Sequence, residues 1–333
     1  MSRRLSIVCM MIVFAFTSAA AGCSSISNPI LAPHSGAAGL QKAPQSLGSW
    51  TTKAPMPTAR FEHAAGVVNG ILYAVGGCDL YTCSNVLNTV DAYDAATDTW
   101  TTKSPMPTAR YALAAGVVNG VLYAVGGLNN NGYLNTVEAY DPATDSWTTK
   151  TSMPSARATL GVGVINGILY AVGGDNGFFG TNEAYDPATD RWTIKAPMPT
   201  KRAALAVGVI DGILYAVGGT TPNGNLHTLE AYDPVTDSWS SRANMPTKRF
   251  GLSVSVLGGK LYAIGGCCKS NNRALHTVEA YNPVTNTWTA KTPMPTARFG
   301  LATRVVGGLL YAVGGADSTS PNPFNTNEAF TKR

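Results

Sequence analysis

The sequence predicts an all-β protein assembled from six copies of one unit. The first observation is an eight-residue segment, GILYAVGG, which occurs in identical or closely similar form at 70–77, 120–127, 167–174, 212–219, 259–266 and 308–315. The second is spacing, because six tryptophans each stand 26 residues before the first glycine of such a segment's GG pair. The third is a repeat length of 45 to 50 residues. A period of this size is typical of arrays of one supersecondary unit.

Each copy contains patterns for four strands, which we name a, b, c and d. Strand a begins at a repeated arginine. Strand b is the segment ILYAV, which is apolar on both alternating faces and so predicts a strand covered on both sides; the GG pair ends it. The segment YDPATDSW at 140–147 predicts the end of strand c, a proline-containing turn and the start of strand d at the tryptophan.

The GG pair, the Tyr-Asp pair and the tryptophan at this spacing resemble the kelch repeat. The resemblance extends from Trp50 to Phe330 and implies a six-bladed β-propeller with four antiparallel strands per blade. The chain begins with a strand d at 50–53 and ends after a strand c at 327–330. We therefore expect the ring to close when the N-terminal outer strand pairs with the last blade.

The N-terminal residues differ from the repeats. Two arginines precede an apolar run at 5–21, which predicts a signal peptide over residues 1–22. Cys23 follows Ala-Ala-Gly and so resembles the lipidated cysteine of a bacterial lipobox; cleavage after the alanines with free secretion is the alternative. Residues 23–48, rich in Ser, Ala, Gly and Pro, predict a flexible tether, and residues 49–333 the propeller. We expect an extracytoplasmic protein, either secreted or a cell-envelope lipoprotein of the outer membrane or cell surface.

Composition narrows the class of partner. The chain is 45% hydrophobic and 13% charged, which suits a compact buried fold. Removal of residues 1–22 leaves 22 basic against 19 acidic residues, with no basic run. Nucleic acid is therefore not an expected partner, and contact with a membrane is expected only through a lipid anchor. We expect a monomer that binds a protein, peptide or glycan.

The loop between strands b and c is the variable part of the repeat. The interval from the second glycine to the aromatic residue of strand c ranges from 11 to 16 residues among the copies, whereas the remaining intervals are constant. Since strands alternate in direction, the b–c and d–a loops emerge at one end of the ring. Variable loops on a rigid scaffold usually carry binding. Peptide-binding kelch propellers receive ligands on this face, and the resemblance implies the same here.

Several repeat positions supply candidates for this ligand face. Each repeated arginine either pairs with the repeated acid that stands two residues before the strand c aromatic, or belongs to a ring of arginines that binds an acidic ligand. We favour the first alternative, because recurrent charge is usually structural. The arginines are Arg60, Arg110, Arg157, Arg202, Arg249 and Arg298. Aromatic residues after the arginine are Phe61, Tyr111, Phe250 and Phe299, and polar residues after the GG pair are Asp79, Asn129, Asp175, Thr220 and Asp317.

Residues that depart from the repeat are stronger candidates for the ligand face, because the scaffold does not require them. Five copies begin strand a with Arg-x-x-Leu, whereas the first copy has Glu62 and His63. Arg304 stands where the other copies have Gly or Ser. Because blades 1 and 6 are neighbours in a closed ring, Glu62 and Arg304 are expected to face each other, either as a local salt bridge or as a polar pocket.

The cysteines allow several pairings. Cys78 and Cys83 flank a short loop segment and are expected to form a disulfide in an oxidising compartment. Cys267 and Cys268 are adjacent, so that they form a strained bridge or stay reduced. Four cysteines allow three pairings, which the sequence does not decide. Zinc is an alternative, but the two pairs lie in separate blades, and we expect no metal.

Three functions fit this sequence. The leading hypothesis is a non-enzymatic binding module without a cofactor. An enzyme is the second: a copper oxidase of the galactose-oxidase type needs a His and Tyr cluster, of which only His63 is at hand, whereas a kelch sialic acid mutarotase needs only polar groups such as Glu62, His63 and Arg304. A structural surface protein without a ligand is the third.

Overall fold

The computed structural model describes residues 47–177, 179–267, 273–320 and 322–332. Every regular element within them is a β-strand, and the described residues form no helix. None of them therefore forms a helix with the length and hydropathy that a membrane crossing needs. The predicted signal peptide (1–22), the lipidation site Cys23, nearly all of the tether (23–48) and Cys268 lie outside the described residues.

Six antiparallel sheets of four strands form the predicted blades. Blade 1 has β2 (Ala64–Val68), β3 (Ile71–Val75), β4 (Val90–Asp94) and β5 (Thr99–Lys103); blade 2 has β6 (Ala114–Val118), β7 (Val121–Val125), β10 (Val137–Asp141) and β11 (Ser146–Lys150). Blade 3 has β12 (Gly161–Ile165), β13 (Ile168–Val172), β14 (Asn182–Asp186) and β15 (Arg191–Lys195). Blade 4 has β16 (Ala206–Ile210), β17 (Ile213–Val217), β20 (Leu229–Asp233) and β21 (Ser238–Arg242). Blade 5 has β22 (Ser253–Leu257), β23 (Lys260–Ile264), β24 (Val278–Asn282) and β25 (Thr287–Ala290).

Blade 6 joins the two ends of the chain. Its strands are β26 (Ala302–Val306), β27 (Leu309–Val313), β28 (Asn327–Thr331) and, as outer strand d, β1 (Ser49–Lys53). Ser49 pairs with Thr331 and Lys53 with Asn327 across the antiparallel ladder. The strands a contact one another in sequence around the ring, and the strand a of blade 6 returns to that of blade 1. The expected closure is confirmed.

The four strand positions differ in burial for the reason that the sequence suggested. Strands b and c are almost wholly buried, because neighbouring blades cover both of their faces. The outer strand alternates polar exposed residues with a half-buried tryptophan, as in TWTTK of β5. That tryptophan, Trp100, packs against Tyr93 with ring centroids 5.0 Å apart. The polar outer edge discourages pairing with other chains.

Each outer strand is also fastened to the preceding blade. The indole of Trp100 donates to the carbonyl of Ala54 at 2.9 Å, where the chain leaves blade 6. The carboxylate of Asp98, in the c–d turn, accepts both the hydroxyl of Tyr93 at 2.6 Å and the amide of Ala54 at 2.9 Å. The same indole contact recurs at Trp147, Trp192, Trp239 and Trp288. In each case the Tyr–Trp pair and the residue of the c–d turn join strands c and d of one blade and also bind that blade to the preceding one.

Two b–c loops carry a short ribbon of their own. The ribbon of blade 2 pairs β8 (Leu128–Asn129) with β9 (Gly132–Tyr133), and that of blade 4 pairs β18 (Thr220–Thr221) with β19 (Gly224–Asn225). In every blade the residue after the repeated arginine bridges the residue just after the GG pair, as Phe61 does with Cys78. These bridges place the d–a and b–c loops at the same end of the ring, which we call the ligand face.

Candidate functional site

The repeated arginines do not line the ligand face. All six are fully buried, and each pairs with the repeated acid of its own blade. The pairs are Arg60–Asp91, Arg110–Glu138, Arg157–Glu183, Arg202–Glu230, Arg249–Glu279 and Arg298–Glu328. The prediction that these arginines contact a ligand is wrong, because a guanidinium with no exposed surface has no access to one. The favoured interpretation, in which each arginine pairs with an acid within the scaffold, is confirmed.

Arg202 shows what such an arginine does. Its guanidinium donates to the carboxylate of Glu230 at 2.7 Å and to the carbonyls of Gly218 and Thr228, both at 3.0 Å. Burial lowers the pKa of Arg202 to about 10, which leaves it charged at neutral pH. The side chain therefore ties the d–a loop to both ends of the b–c loop, so that the variable loops start from a fixed base.

A closed ring of backbone hydrogen bonds surrounds the mouth of the central channel. The second residue after each repeated arginine has a left-handed backbone, with φ of 52° at Glu62 and 53° at Ala112. Its amide donates to the same residue of the preceding blade: Ala112 to Glu62 at 2.7 Å, and Glu62 to Gly300 at 2.8 Å. The other members are Thr159, Ala204 and Gly251. The side chains of this mouth ring lie at the channel entrance on the ligand face.

Inside the mouth ring lies a small cavity, which we call the upper cup. Its volume is about 110 Å³. The polar side chains that line it are Glu62, His63 and Thr159, and the aromatic ones are Phe250 and Phe299. One carboxylate oxygen of Glu62 (Oε2), both ring nitrogens of His63 and the hydroxyl of Thr159 are buried without a hydrogen-bond partner. Such groups usually have hydrogen-bond partners in folded proteins, and these atoms therefore make the upper cup a candidate site.

Burial keeps both titratable groups of the upper cup uncharged at neutral pH. Desolvation raises the pKa of the Glu62 carboxyl to about 8. Desolvation and the neighbouring guanidinium groups of Arg60, Arg298 and Arg304 hold the pKa of His63 well below its usual range. At pH 7 the upper cup therefore offers a carboxylic acid, a neutral imidazole and a hydroxyl, which both donate and accept hydrogen bonds.

A ring of five leucines and one histidine separates the upper cup from a second cavity deeper in the channel. His63 occupies the place that a leucine holds in the other five blades, and these leucines are Leu113, Leu160, Leu205, Leu252 and Leu301. All six residues line both cavities. The space for the imidazole comes from Gly314, because a Cβ there would lie 2.5 Å from its Cε1. We call the deeper space, about 130 Å³, the lower cavity.

The expected pairing of Glu62 with Arg304 is wrong. Glu62 lines the upper cup, whereas Arg304 lines the lower cavity. The guanidinium of Arg304 donates to the carbonyl of Thr303 at 2.8 Å and reaches past blade 1 to that of Ala115 in blade 2 at 3.3 Å. Among the described residues no ion pair joins it to Glu62. The two residues stand at different depths, and so they do not form one pocket.

The aromatic candidates are buried beneath the ligand face. Phe61 stacks on Tyr81 with centroids 5.7 Å apart, and both meet the edge of Phe299 at the seam of blades 1 and 6. Phe250 and Tyr111 belong to the same buried cluster. Of these residues, Phe250 and Phe299 reach the upper cup. The others support the loops from below.

The polar candidates after the GG pairs lie in the b–c loops around the upper cup. Asp175 is buried and accepts the hydroxyl of Tyr133 from the neighbouring blade at 3.0 Å. Asp79 accepts the amide of Asn85 at 2.6 Å, and Asn129 accepts the backbone amide of Asn131 at 2.9 Å. Thr220 is buried, and Asp317 accepts the hydroxyl of Thr319 at 2.7 Å. Most of them therefore shape the loops rather than face the channel.

The structure adds a groove that the sequence did not predict. It lies between the b–c loops of blades 1 and 2, has a volume of about 520 Å³, and is lined by Ser84, Asn85, Val86, Pro107, Thr108, Ala109, Asn129, Asn130 and Asn131. Its lining is uncharged and rich in amides and hydroxyls. In the sequence, the feature that could have indicated this groove is the NNN run in the second b–c loop. That run forms a groove only together with the neighbouring b–c loop. We call it the rim groove.

A disulfide between Cys78 and Cys83 fixes the b–c loop that forms one wall of the rim groove. Cys267 is also disulfide-bonded. In the described ranges no three His, Cys, Asp or Glu side chains come together as a metal site would require.

Comparisons with known proteins agree with this architecture. The model of the KLHDC2/KLHL20/DRC7 Kelch-repeats domain matches residues 43–198, and the Kelch motif matches residues 201–246 and 248–295. No curated protein matches the chain significantly. The solved structure entitled "Structure of YjhT" is similar in fold, with a TM-score of 0.72 and 16% identity over 83% of this chain and 96% of that one. With six blades in a closed ring and kelch models over most of its length, the chain belongs to the kelch-repeat proteins.

Proposed function

We propose that this protein is a binding module whose ligand face holds a segment of a peptide or protein, with a glycan as the alternative ligand. The observation that carries this proposal is the set of unpartnered polar atoms on Glu62, His63 and Thr159 in the upper cup. A buried polar group without a partner costs about 1–3 kcal/mol. A ligand that supplies the missing hydrogen bonds recovers that free energy on binding.

The sizes of the two spaces suggest how the ligand is divided between them. The upper cup, at about 110 Å³, is smaller than the roughly 300–1,000 Å³ of ordinary ligand pockets. The rim groove, at about 520 Å³, falls within that range. The upper cup therefore suits one side chain, and the rim groove suits another part of the same ligand.

The chemistry of both spaces favours a neutral polar ligand. The upper cup is uncharged at neutral pH, and the lining of the rim groove carries no ionisable side chain. Amide and hydroxyl groups donate and accept together, so that they match peptide amides, Asn, Gln or Ser side chains and sugar hydroxyls. A strongly charged ligand would lose hydration without gaining a counter-charge in the upper cup.

The test is binding of the purified protein to a peptide array and a glycan array. The informative variant is Glu62→Ala/His63→Leu, because alanine and leucine hold these positions in other blades and the ring should therefore fold unchanged. The matched control is Val235→Ala in a c–d turn on the opposite face, where other blades have alanine and Val235 is 90% exposed.

We expect the hits of the wild-type protein to survive Val235→Ala and to weaken at least about tenfold in the double variant, the loss that two or three hydrogen bonds represent. Equal binding by all three proteins would remove the upper cup from the proposal. Absence of any hit would leave a structural protein as the better account.

An enzyme is the second candidate, because two titratable groups with displaced pKa values share one cavity. Glu62 with a pKa near 8 is suited to give a proton at neutral pH. This fits a carbohydrate-active kelch protein such as a sialic acid mutarotase. NMR of sialic acid anomer exchange tests it: acceleration that disappears in Glu62→Gln supports an enzyme, and an unchanged rate excludes this reaction.

We further propose that the propeller works outside the cytoplasm, tethered by a lipidated Cys23 or secreted. The support comes from the predicted signal peptide at 1–22 together with the Cys78–Cys83 disulfide, since disulfides persist in oxidising compartments. Palmitate labelling of cells that express the wild type and Cys23→Ser tests the anchor. Label in the wild type alone supports it; label in neither, with protein in the medium, supports free secretion.

A further inference from the structure

Three departures from the repeat meet in the lower cavity. His63 lines this cavity where other blades have leucine. Arg304 stands where they have glycine or serine, and Ser253 stands where they have alanine or glycine. They come from blades 1, 6 and 5 and are far apart in sequence. Independent substitutions that converge on one space suggest that the space has a specific occupant.

The charge of the lower cavity is uncompensated. Arg304 brings a guanidinium into it, and none of the described residues that line it is acidic. The six repeated arginines each have a carboxylate partner, whereas the hydrogen bonds found for Arg304 go to the carbonyls of Thr303 and Ala115. Burial lowers its pKa only to about 10, so that the group stays cationic at neutral pH. A buried charge without a counter-charge is costly.

Hydroxyl groups at the seam of blades 5 and 6 orient a further donor toward the same space. Ser255 donates to the hydroxyl of Thr303 at 2.9 Å, which lies 2.8 Å from the hydroxyl of Ser253. Ser253 also accepts the backbone amide of Thr303 at 3.0 Å. If the chain runs from Ser255 through Thr303, Ser253 accepts twice, and its own proton remains for the lower cavity. Other blades have Ala, Gly or Val at the positions of Ser253 and Thr303.

His63 completes the set. It is 5% exposed, lines the lower cavity, and both of its ring nitrogens lack a partner. A neutral imidazole carries one N–H donor. The lower cavity is thus lined by three kinds of hydrogen-bond donor, a guanidinium, a hydroxyl and an imidazole, and by no carboxylate among the described residues.

We infer that the lower cavity is an anion site, held by the Arg304 guanidinium with the Ser253 hydroxyl and the His63 imidazole, for a small anion such as a halide or a carboxylate group. The volume of about 130 Å³ admits an ion of this size with water. The site shares His63 with the upper cup, but Arg304 and Ser253 line the lower cavity only, and the inference does not depend on the proposed function. Its role is to neutralise a cation at the centre of the ring.

The experiment is thermal unfolding of the wild type and of Arg304→Ser, the residue that blade 5 has at this position, in increasing sodium chloride and, separately, sodium formate. Screening of surface charges is common to both proteins, so that the difference between them reports the site. An anion at five times its Kd should raise the wild-type Tm by about 2 °C more than that of the variant. A response to chloride indicates a halide site, and a response to formate alone indicates a carboxylate site.

Two further measurements keep the test decisive. Ser253→Ala, which restores the alanine of other blades, should reduce the anion-dependent rise without removing it. In wild-type crystals soaked in sodium bromide or, separately, in sodium formate, a bromide anomalous peak or formate density should lie within hydrogen-bond distance of the Arg304 guanidinium. Equal salt responses in all three proteins, or a lower cavity without bromide or formate density, would overturn the inference.

Discussion

The ring of Trp50, in the first strand, packs against that of Phe330, in the last, with centroids 5.2 Å apart. The two residues also pair directly in the β1–β28 ladder. In five blades this position of strand c is a tyrosine whose hydroxyl donates to the Asp or Asn of the c–d turn. In blade 6 strands c and d come from opposite chain ends, so that no such turn exists. A phenylalanine there avoids an unsatisfied hydroxyl.

Phe330→Tyr should therefore destabilise the ring although it restores the residue of the other blades. The added hydroxyl would project from Cζ, and the space beyond Cζ is filled, because a Cβ on Gly48 would lie only 2.3 Å from it. We expect a loss of about 1–3 kcal/mol in urea unfolding. The control is Tyr281→Phe, which removes one hydrogen bond to Asn286 and should cost about 0.5–1.5 kcal/mol. A neutral Phe330→Tyr would mean that the closure tolerates a normal blade.

The buried arginines should matter for stability and not for binding. Arg202→Met leaves the Glu230 carboxylate buried without its partner and three backbone carbonyls without a donor. We expect a loss of about 3–5 kcal/mol in urea unfolding. Glu230→Gln, which keeps an acceptor for the guanidinium, should cost less. Loss of ligand binding without loss of stability in Arg202→Met would restore the arginine to the ligand face.

Glu62 should make the protein less stable as the pH rises. Its folded pKa, about 8, lies above the value of about 4.5 in the unfolded chain, so that the native state binds more protons between those values. The free energy of unfolding should then fall from pH 4.5 to pH 8, by at most about 1.4 kcal/mol per pH unit. Glu62→Gln should lose this slope. Parallel curves for the two proteins at fixed ionic strength would show that the carboxyl titrates normally.

His63 should act in the opposite direction. Its folded pKa is well below the unfolded value of about 6.5, so that the unfolded chain binds more protons in acid and stability falls as the pH drops below 6.5. His63→Leu, which restores the leucine ring, should remove up to about 1.4 kcal/mol per pH unit of that fall. His276→Asn is the control, because His276 is exposed on the rim and asparagine holds its position in other blades. The same acid slope in His63→Leu and in the wild type would contradict the assignment.

The fold was predictable from the sequence because each blade repeats the residues that join it to the next. The tryptophan, the tyrosine, the GG pair and the arginine recur at fixed spacing, and the structure gives each a fixed contact. The prediction could also use the ends of the chain, since a leading strand d and a final strand c are complementary only in a closed ring. The length variation marked the ligand face for the same reason, because the bridges next to the GG pairs hold every b–c loop at one end.

The site was less predictable. Aligning the copies puts Glu62 level with Gly300, so that Arg304 lies four residues, or roughly 13 Å of extended chain, further along the strand. That offset can be read from the sequence alone, and it predicts that Glu62 and Arg304 do not pair. The rim groove could not be predicted from the sequence, since it depends on the conformations of two loops of different length. The hydroxyl chain through Thr303 was visible only as serine and threonine where other copies have small or aliphatic residues.

The most direct test of the account is the position of a bound ligand. A photoreactive benzoylphenylalanine at Phe250, in the wall of the upper cup, should crosslink to a peptide hit from the array after irradiation. The same residue at Val235, on the opposite face, should not. Crosslinking at Val235 with none at Phe250 would contradict the claim that the channel mouth on the ligand face is the binding site.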